Sequence, residues 1–278
     1  MPTREDILHK AAASLARAGI ATASLDARLL LQHVLGLSHA SLIADAHVMI
    51  TDQEANEFYE LLLRRQGREP ISRILGKREF YGLEFWLNHA TLDPRPDTET
   101  LVEEALRFKP EKILDLGTGT GAIIISLLAN LPNAVAIATD LAPKALEMAA
   151  RNALAHGVAD RLKLIQSDWF AEIDDQFDMI VSNPPYIPEA EITTLEPEVV
   201  NNDPHLALSG GVDGLVAYRK IIHAAPAALK PGGRLILEIG KGQETAILGL
   251  LAAAGFAGMQ QLTDLSGNIR VISAQKPE

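Results

Sequence analysis

From Lys112 onward the chain alternates between two kinds of apolar pattern, and that alternation narrows its fold more than any other feature. Short β-prone runs, "KILDL", "AVAIATD", "LKLIQSD", "FDMIVSN" and "RLILEIG", are separated by longer helical stretches such as "GAIIISLLAN", "PKALEMAARNALAHG" and "GLVAYRKIIHAAPAALKPGG". Strand-helix alternation implies a parallel sheet covered by helices on both faces. The last two runs, "GMQQLTD" and "NIRVISAQ", are joined through "LSGN". They are expected to form an antiparallel pair at one edge. The sheet is then mixed and seven-stranded, in an α/β domain over residues 91–278.

Residues 1–69 follow a different plan. "TREDILHKAAASLARAG" begins with the cap-like pair Thr3 and Asp6 and stops at Gly19. "SLDARLLLQHVLG" spans Ser24 to Gly36, and "TDQEANEFYELLLRRQG" runs from Thr51 or Asp52 to Gly67. Apolar residues recur at helical spacing in each, which predicts a small helical bundle. Between the two regions lies a linker over residues 70–90. Its β-prone runs flank Gly76 and Gly82, which predicts a hairpin. "DPRPDTETLVEEALRF" then opens a helix with Pro96 near its first turn. The cluster of Arg64, Arg65 and Arg68 reads as a solvated last helical turn, favourable to the helix dipole.

Composition excludes several classes. There is no cysteine, so disulfides, thiolate zinc sites and a cysteine nucleophile are ruled out. The formal net charge is -11, which leans away from nonspecific nucleic-acid binding. No apolar run reaches the roughly 18 residues that span a bilayer. The N-terminal "MPTREDILHK" lacks the apolar core of a signal peptide, so a cytoplasmic location is expected. The eight histidines show no metal-ligand spacing, and no metal is implied. His223, in an apolar helical stretch, reads as structural.

The first strand of the alternating region runs into "DLGTGTGA". Gly117, Gly119 and Gly121 let the backbone turn tightly and approach a ligand closely. The second strand ends in Asp140, about 20 residues on, where a carboxylate can accept hydrogen bonds from ribose hydroxyls. A nucleoside-containing cofactor is therefore expected at this end of the sheet. The spacing G-x-G-x-G with Asp115 before it resembles motif I of the S-adenosyl-L-methionine-dependent methyltransferases. That resemblance implies that the loop Gly117, Thr118, Gly119, Thr120, Gly121 lies against the methionine half and the ribose. It also implies that Asp168, followed by Trp169 and Phe170, receives the adenine.

"VSNPPYIP" follows the fourth strand, at a place where a buried strand tolerates no proline. Strands one and four flank the point where strand order reverses, so Asn183-Pro184-Pro185-Tyr186 sits beside the glycine loop. The tetrapeptide resembles motif IV of methyltransferases that act on planar nitrogens. An amide or aryl-amine nitrogen is a poor nucleophile with two N–H donors. The Asn183 side-chain oxygen and the Pro184 carbonyl can accept both and fix the nitrogen in line for transfer. Proline stiffens the backbone that carries the carbonyl, and the Tyr186 ring can cover the planar group.

Further segments are similar to the bacterial release-factor glutamine methyltransferase family, also called the HemK or PrmC family. They are "RILGKREFYGLEF" (73–85), "PRPDTETLVEEAL" (94–106), "ILDLGTGTGAI" (113–123), "VSNPPYIP" (181–188), "EPEV" (196–199) and "ALSGGVDGL" (207–215). The resemblance implies a class I methyltransferase fold, Rossmann-like, behind a helical domain that holds the release factor. It implies methylation of the side-chain nitrogen of the glutamine in a Gly-Gly-Gln motif, with S-adenosyl-L-methionine as cofactor. Gly117 to Gly121, Asp140, Trp169 and Asn183 are then cofactor contacts, and Asn183 to Tyr186 the substrate clamp. Glu198 of "EPEV" either lines the target pocket or is an exposed loop residue. Arg95, Asp97 and Glu99 either orient a ligand or merely cap a helix. The competing readings are a nucleic-acid adenine-N(6) methyltransferase and a noncatalytic adaptor that binds S-adenosyl-L-methionine. A duplex-gripping enzyme needs basic loops; the segment between Ile187 and Leu215 is rich in Glu and has one possible cation, His205. No direct DNA binding, no membrane association and a monomer are expected.

Overall fold

The structure, a computed structural model, describes residues 2–278. The chain falls into two compact units. One runs to Lys77 and includes Glu196–Asn202; the other comprises Arg78–Leu195 and Asp203–Glu278.

In the first unit, α1 (Arg4–Arg17), α2 (Ala23–Leu35), α3 (His39–Ala44), α4 (Asp52–Gln66) and α5 (Ile71–Leu75) pack around one core. Ile7, Leu15, Leu30, Leu31 and Phe58 are fully buried there. Thr3 with Asp6, and Thr51 with Glu54, form reciprocal capping boxes at the starts of α1 and α4. Each cap of this kind is worth about 1 kcal/mol.

Two expectations fail in this unit. Ile71–Leu75 is helical rather than the first arm of a hairpin. Pro70 stands at its N-cap, Ile74 and Ile71 turn toward the helical core, and Gly76 closes it at φ 70. The hairpin comes later, as β1 (Lys77–Phe80) and β2 (Leu83–Trp86) turning at Tyr81-Gly82. The arginine cluster is not solvated either. Phe58, Leu62 and Arg65 share the buried face of α4, so Arg65 is carried inward. Its Nε lies 2.7 Å from Asp26 Oδ2 and its Nη1 3.4 Å from Glu198 Oε1. Arg68 Nε lies 2.8 Å from the same Glu198 oxygen, and Arg64 pairs with Glu69.

The second unit contains α6 (Glu99–Arg107), β3 (Lys112–Leu116), α7 (Ala122–Asn130), β4 (Val135–Asp140), α8 (Pro143–Ala155), β5 (Leu162–Gln166) and β6 (Phe177–Ser182). Short helices α9 (Pro197–Val200, in the first unit) and α10 (His205–Leu208) follow. Then come α11 (Val216–Ala228), β7 (Leu229–Glu238), α12 (Glu244–Ala253), β8 (Ala257–Thr263) and β9 (Ile269–Gln275). The strand order is β5-β4-β3-β6-β7-β9-β8. The pairs from β5 through β7 are parallel, and β9 pairs antiparallel with β7 and with β8. This is the mixed seven-stranded sheet expected, with its antiparallel pair at one edge. One face carries α6, α7 and α8; the other carries α11 and α12. His223 is exposed on α11, not a core residue. Ile221, Ile222 and Ala225 take the buried face, and the helical period turns position 223 outward.

Successive strands β3, β4, β5 step one way across the sheet, and β6 steps back to the other side of β3. The connections after β3 and β6 therefore leave in opposite directions and open a crevice at the carboxyl ends of these strands.

Candidate active site

A cavity of about 520 Å³ occupies that crevice. Its walls include Gly117 to Thr120, Asp140, Asp168, Trp169, Asn183 and Pro185, together with Arg95 and Thr98 from before α6. Its size suits an organic cofactor.

The glycine loop is held from below by backbone and carboxylate. Gly117 and Thr118 donate to the Thr139 carbonyl at the end of β4, at 2.9 and 2.8 Å. Thr118 Oγ1 donates to Asp115 Oδ2 at 2.6 Å, and Gly119 N donates to Asp140 Oδ2 at 2.9 Å. Gly119 and Gly121 both adopt left-handed backbone, at φ 57 and φ 80. A Cβ on Gly121 would stand 2.7 Å from Ile125 and 3.3 Å from Ala149, whereas one on Gly119 would meet nothing within 4 Å. Gly121 thus serves packing of α7 and α8, and Gly119 keeps the cavity clear. The Trp169 ring lies against Gly117.

Two carboxylates respond to burial here. Asp115 is fully buried, and desolvation pushes its carboxyl up to about 7 despite the hydrogen bond from Thr118. Its Oδ1 has no hydrogen-bond partner among the described residues. Asp140 is also raised by burial, against the N–H groups of Ala142 and Gly119 that favour its charge. An ionised carboxylate has about four acceptor sites. Asp140 uses two on its own chain, at Gly119 and Ala142, and keeps acceptors for a ligand. The donor set therefore fits a nucleoside: free carboxylate lone pairs, a close-approach loop and an aromatic wall. Asp168 is half exposed, paired with Lys220 Nζ at 3.2 Å, and both line the cavity.

The NPPY segment leaves β6 directly opposite the loop. Ser182 Oγ donates to the Leu116 carbonyl at 2.7 Å and ties β6 to β3 at its last register pair. Asn183 and Pro185 reach the cavity; Pro184 is buried beneath, and the Tyr186 ring packs into the core beside Gly240. Burial pushes the Tyr186 phenol up to about 12. Gln243 Nε2 donates to the Tyr186 carbonyl at 2.9 Å. The chain beyond is pinned by Ile187, which exchanges backbone hydrogen bonds with Leu208 and Gly210.

Glu198 does not join these residues. It lies in the first unit on α9, its carboxylate against Arg65 and Arg68. Arg95 pairs with Asp203 at 2.8 Å, Asp97 with Arg270 at 3.3 Å, and Glu99 accepts from Tyr81 N at 2.8 Å.

Sequence reasoning missed four supports of the site. Asn152 on α8 is fully buried and donates to the Thr120 and Trp86 carbonyls, stitching loop to hairpin. Gln243 fastens the clamp from α12. Thr98 accepts from Asn183 Nδ2 at 3.3 Å, and the buried Glu238 carboxylate, at the end of β7, lies beside both. Glu238 alone carried a signal: a charged residue ending the apolar run "RLILEIG".

Comparison with known proteins agrees with this architecture. Residues 6–76 match the model of the PrmC N-terminal domain, and residues 89–220 match that of the methyltransferase small domain. The chain is 50% identical over 272 residues to a release factor glutamine methyltransferase of Cereibacter sphaeroides, covering 98% of each. It is 48% identical to one of Bradyrhizobium diazoefficiens, covering 95% of this chain and 92% of that one. Among solved structures, a methyltransferase of Pyrococcus furiosus superposes with a TM-score of 0.53 at 17% identity, over 82% of this chain and all of the other. A ribosomal protein L11 methylase of Lactobacillus delbrueckii gives a TM-score of 0.52 at 20% identity, over 68% of this chain and 82% of that one. At such identity these two likenesses show the fold.

Proposed function

The chain belongs to the release factor glutamine methyltransferase family, and from that premise we infer which of its residues carry the reaction. The enzyme methylates the side-chain amide nitrogen of a release-factor glutamine, in a Gly-Gly-Gln motif, and so acts in translation termination. S-adenosyl-L-methionine supplies an electrophilic methyl group on its sulfonium when bound. Gly117 to Gly121 would give it a backbone wall, the spare Asp140 lone pairs would accept from its ribose hydroxyls, and Asp168 and Trp169 would hold its adenine.

The observation that carries the reading is the position of Asn183. It stands on the cavity wall with Nδ2 turned to Thr98. Its oxygen is left as an acceptor for a substrate N–H. Pro184 follows with its carbonyl on a stiff backbone, a second acceptor for the second N–H. Holding both donors sets the amide plane and favours a pyramidal nitrogen in the transition state. No strong base is needed beforehand, since the proton leaves once the nitrogen is cationic. The Tyr186 ring, packed into the core beside Gly240, stiffens the clamp from behind rather than covering the substrate amide.

Residues 1–69 hold the release factor, 91–278 perform the transfer and 70–90 join them. The protein acts in the cytoplasm, where release factors work, and as a monomer, since one chain supplies every wall of the cavity. No direct contact with DNA is part of this function. The test is Asn183→Ala assayed with unmethylated release factor. Turnover should fall about 10²–10³-fold, the usual cost of a lost transition-state hydrogen bond, while S-adenosylhomocysteine binding stays within about fivefold. Undiminished methylation would sink the clamp; methylation of DNA instead of the release factor would sink the substrate assignment.

A further inference from the structure

Glu238 is a fully buried carboxylate that the clamp chemistry does not use. It ends β7, in register with Val271 of β9, and it sits behind Asn183 as seen from the cavity. It follows Leu237, the register partner of Ser182, so it stands beside Asn183 on the neighbouring strand; Thr98 and Asn183 both favour its charged form, and its Oε2 is buried with no hydrogen-bond partner among the described residues. Asn183 Nδ2 also meets Thr98 Oγ1. The Thr98 hydroxyl therefore accepts from the NH₂ group of Asn183, and the Glu238 carboxylate stands beside both. The Tyr218 hydroxyl, from α11, donates to the Glu238 carbonyl at 2.8 Å and fixes the strand end itself.

An asparagine amide has two faces of opposite polarity. If the side chain rotated by half a turn, it would present NH₂ to the cavity, and two donors would face the two N–H donors of a substrate amide. The buried pair excludes that state, because the Asn183 oxygen would then point at a carboxylate. We propose that Glu238 is a positioning residue, whose carboxylate, with the Thr98 hydroxyl, locks the Asn183 amide with its oxygen toward the substrate. The inference rests on the clamp reading above and adds to it the group that sets the clamp's polarity.

The same arrangement makes the lock sensitive to protonation. Glu238 faces Arg270 of β9, Asp97 of the turn before α6, and the Tyr186 and Tyr218 phenols. Burial outweighs the Thr98 bond and Arg270, and holds the carboxyl at about 7. A protonated Glu238 is a donor as well as an acceptor and no longer forbids the flipped amide.

Three variants of the full chain test this with S-adenosyl-L-methionine and unmethylated release factor. Glu238→Leu removes the acceptor while keeping the site apolar. It should lower kcat roughly 30–100-fold, the scale of a misaligned reacting group, with KM and S-adenosylhomocysteine Kd within about twofold. Glu238→Gln keeps an acceptor and loses the titration. As a neutral donor and acceptor like the protonated carboxyl, it should hold kcat at every pH near the low value expected of the parent below about pH 7, with no acid limb of its own. Should Glu238→Leu fail to fold, Thr98→Val takes its place, with a loss of about tenfold in kcat alone. Parental turnover in Glu238→Leu or Thr98→Val, or an unchanged acid limb in Glu238→Gln, would overturn the inference. Failure of the parent protein itself to methylate the release factor would instead overturn the function proposed above.

Discussion

Gly119→Ala and Gly121→Ala add the same methyl group two residues apart in one loop, yet the structure assigns them different consequences. Both positions are left-handed, which costs a side chain about 1–2 kcal/mol. Both substitutions recover about 0.4–1 kcal/mol by restricting the unfolded chain. There the likeness ends. At Gly121 the new Cβ falls 2.7 Å from Ile125 Cδ1 and 3.3 Å from the Ala149 Cβ. Ile125 and Ala149 are fully buried in α7 and α8, so neither has open space to move into. Overpacking of this kind adds about 1–3 kcal/mol. The net cost is about 1–5 kcal/mol at Gly121 and about 0–1.6 kcal/mol at Gly119. For a folded unit of this size, that corresponds to a Tm lower by roughly 2–20 °C and by at most about 6 °C, respectively. The ligand-binding order is reversed. The Gly119 Cβ enters cavity space, where it should weaken S-adenosylhomocysteine at least tenfold by calorimetry. Thermal unfolding of the cofactor-free chain and the titration together decide the matter. If Gly121→Ala were no less stable than Gly119→Ala, or if Gly119→Ala bound the ligand as the parent does, the division of labour between these glycines would be wrong.

Two further outcomes follow from buried charge. Arg65→Met leaves the buried Asp26 carboxyl without its partner, which should cost about 3–5 kcal/mol, read as lost hydrogen-exchange protection in α1, α2 and α4; adding Asp26→Leu should restore most of it. Asp115 has a folded pKa near 7 against an ordinary 3.8. A raised carboxyl pKa favours the folded state below 3.8, and that contribution is lost as pH rises through 7. The stability of Asp115→Asn minus that of the parent should therefore climb from pH 4 to about 7 and level off above 8, by a total on the order of a few kcal/mol, read from Tm across pH. A difference that does not vary with pH would mean that Asp115 is not a neutral acid at the lower end.

Local pattern was enough for most of the frame. Apolar runs of strand length alternating with helical ones imposed the parallel sheet, because backbone groups in such runs are satisfied only by pairing with neighbours buried on both faces. The glycine loop, Asp140 and NPPY were legible for the same reason: each breaks the rules of its own element at the end of a strand. What failed was also local. Ile71–Leu75 has the composition of a strand, and only a flanking Pro70, a left-handed Gly76 and an apolar core to cover made it a helix. Arg65 looked solvated until its partners, Asp26 and Glu198, came from 39 and 133 positions away.

The identity of the chemistry thus resides in the sequence by itself: a turn of glycines, a carboxylate on the next strand and an asparagine before two prolines. The aim of that chemistry does not. On the clamp reading proposed above, whether Asn183 shows oxygen or nitrogen to a substrate depends on Thr98, 85 positions away, and on Glu238 at the end of the next strand. Hydrogen-bond polarity in a buried network is set by every partner at once, and those partners exist only when β6, β7 and the turn before α6 have come together.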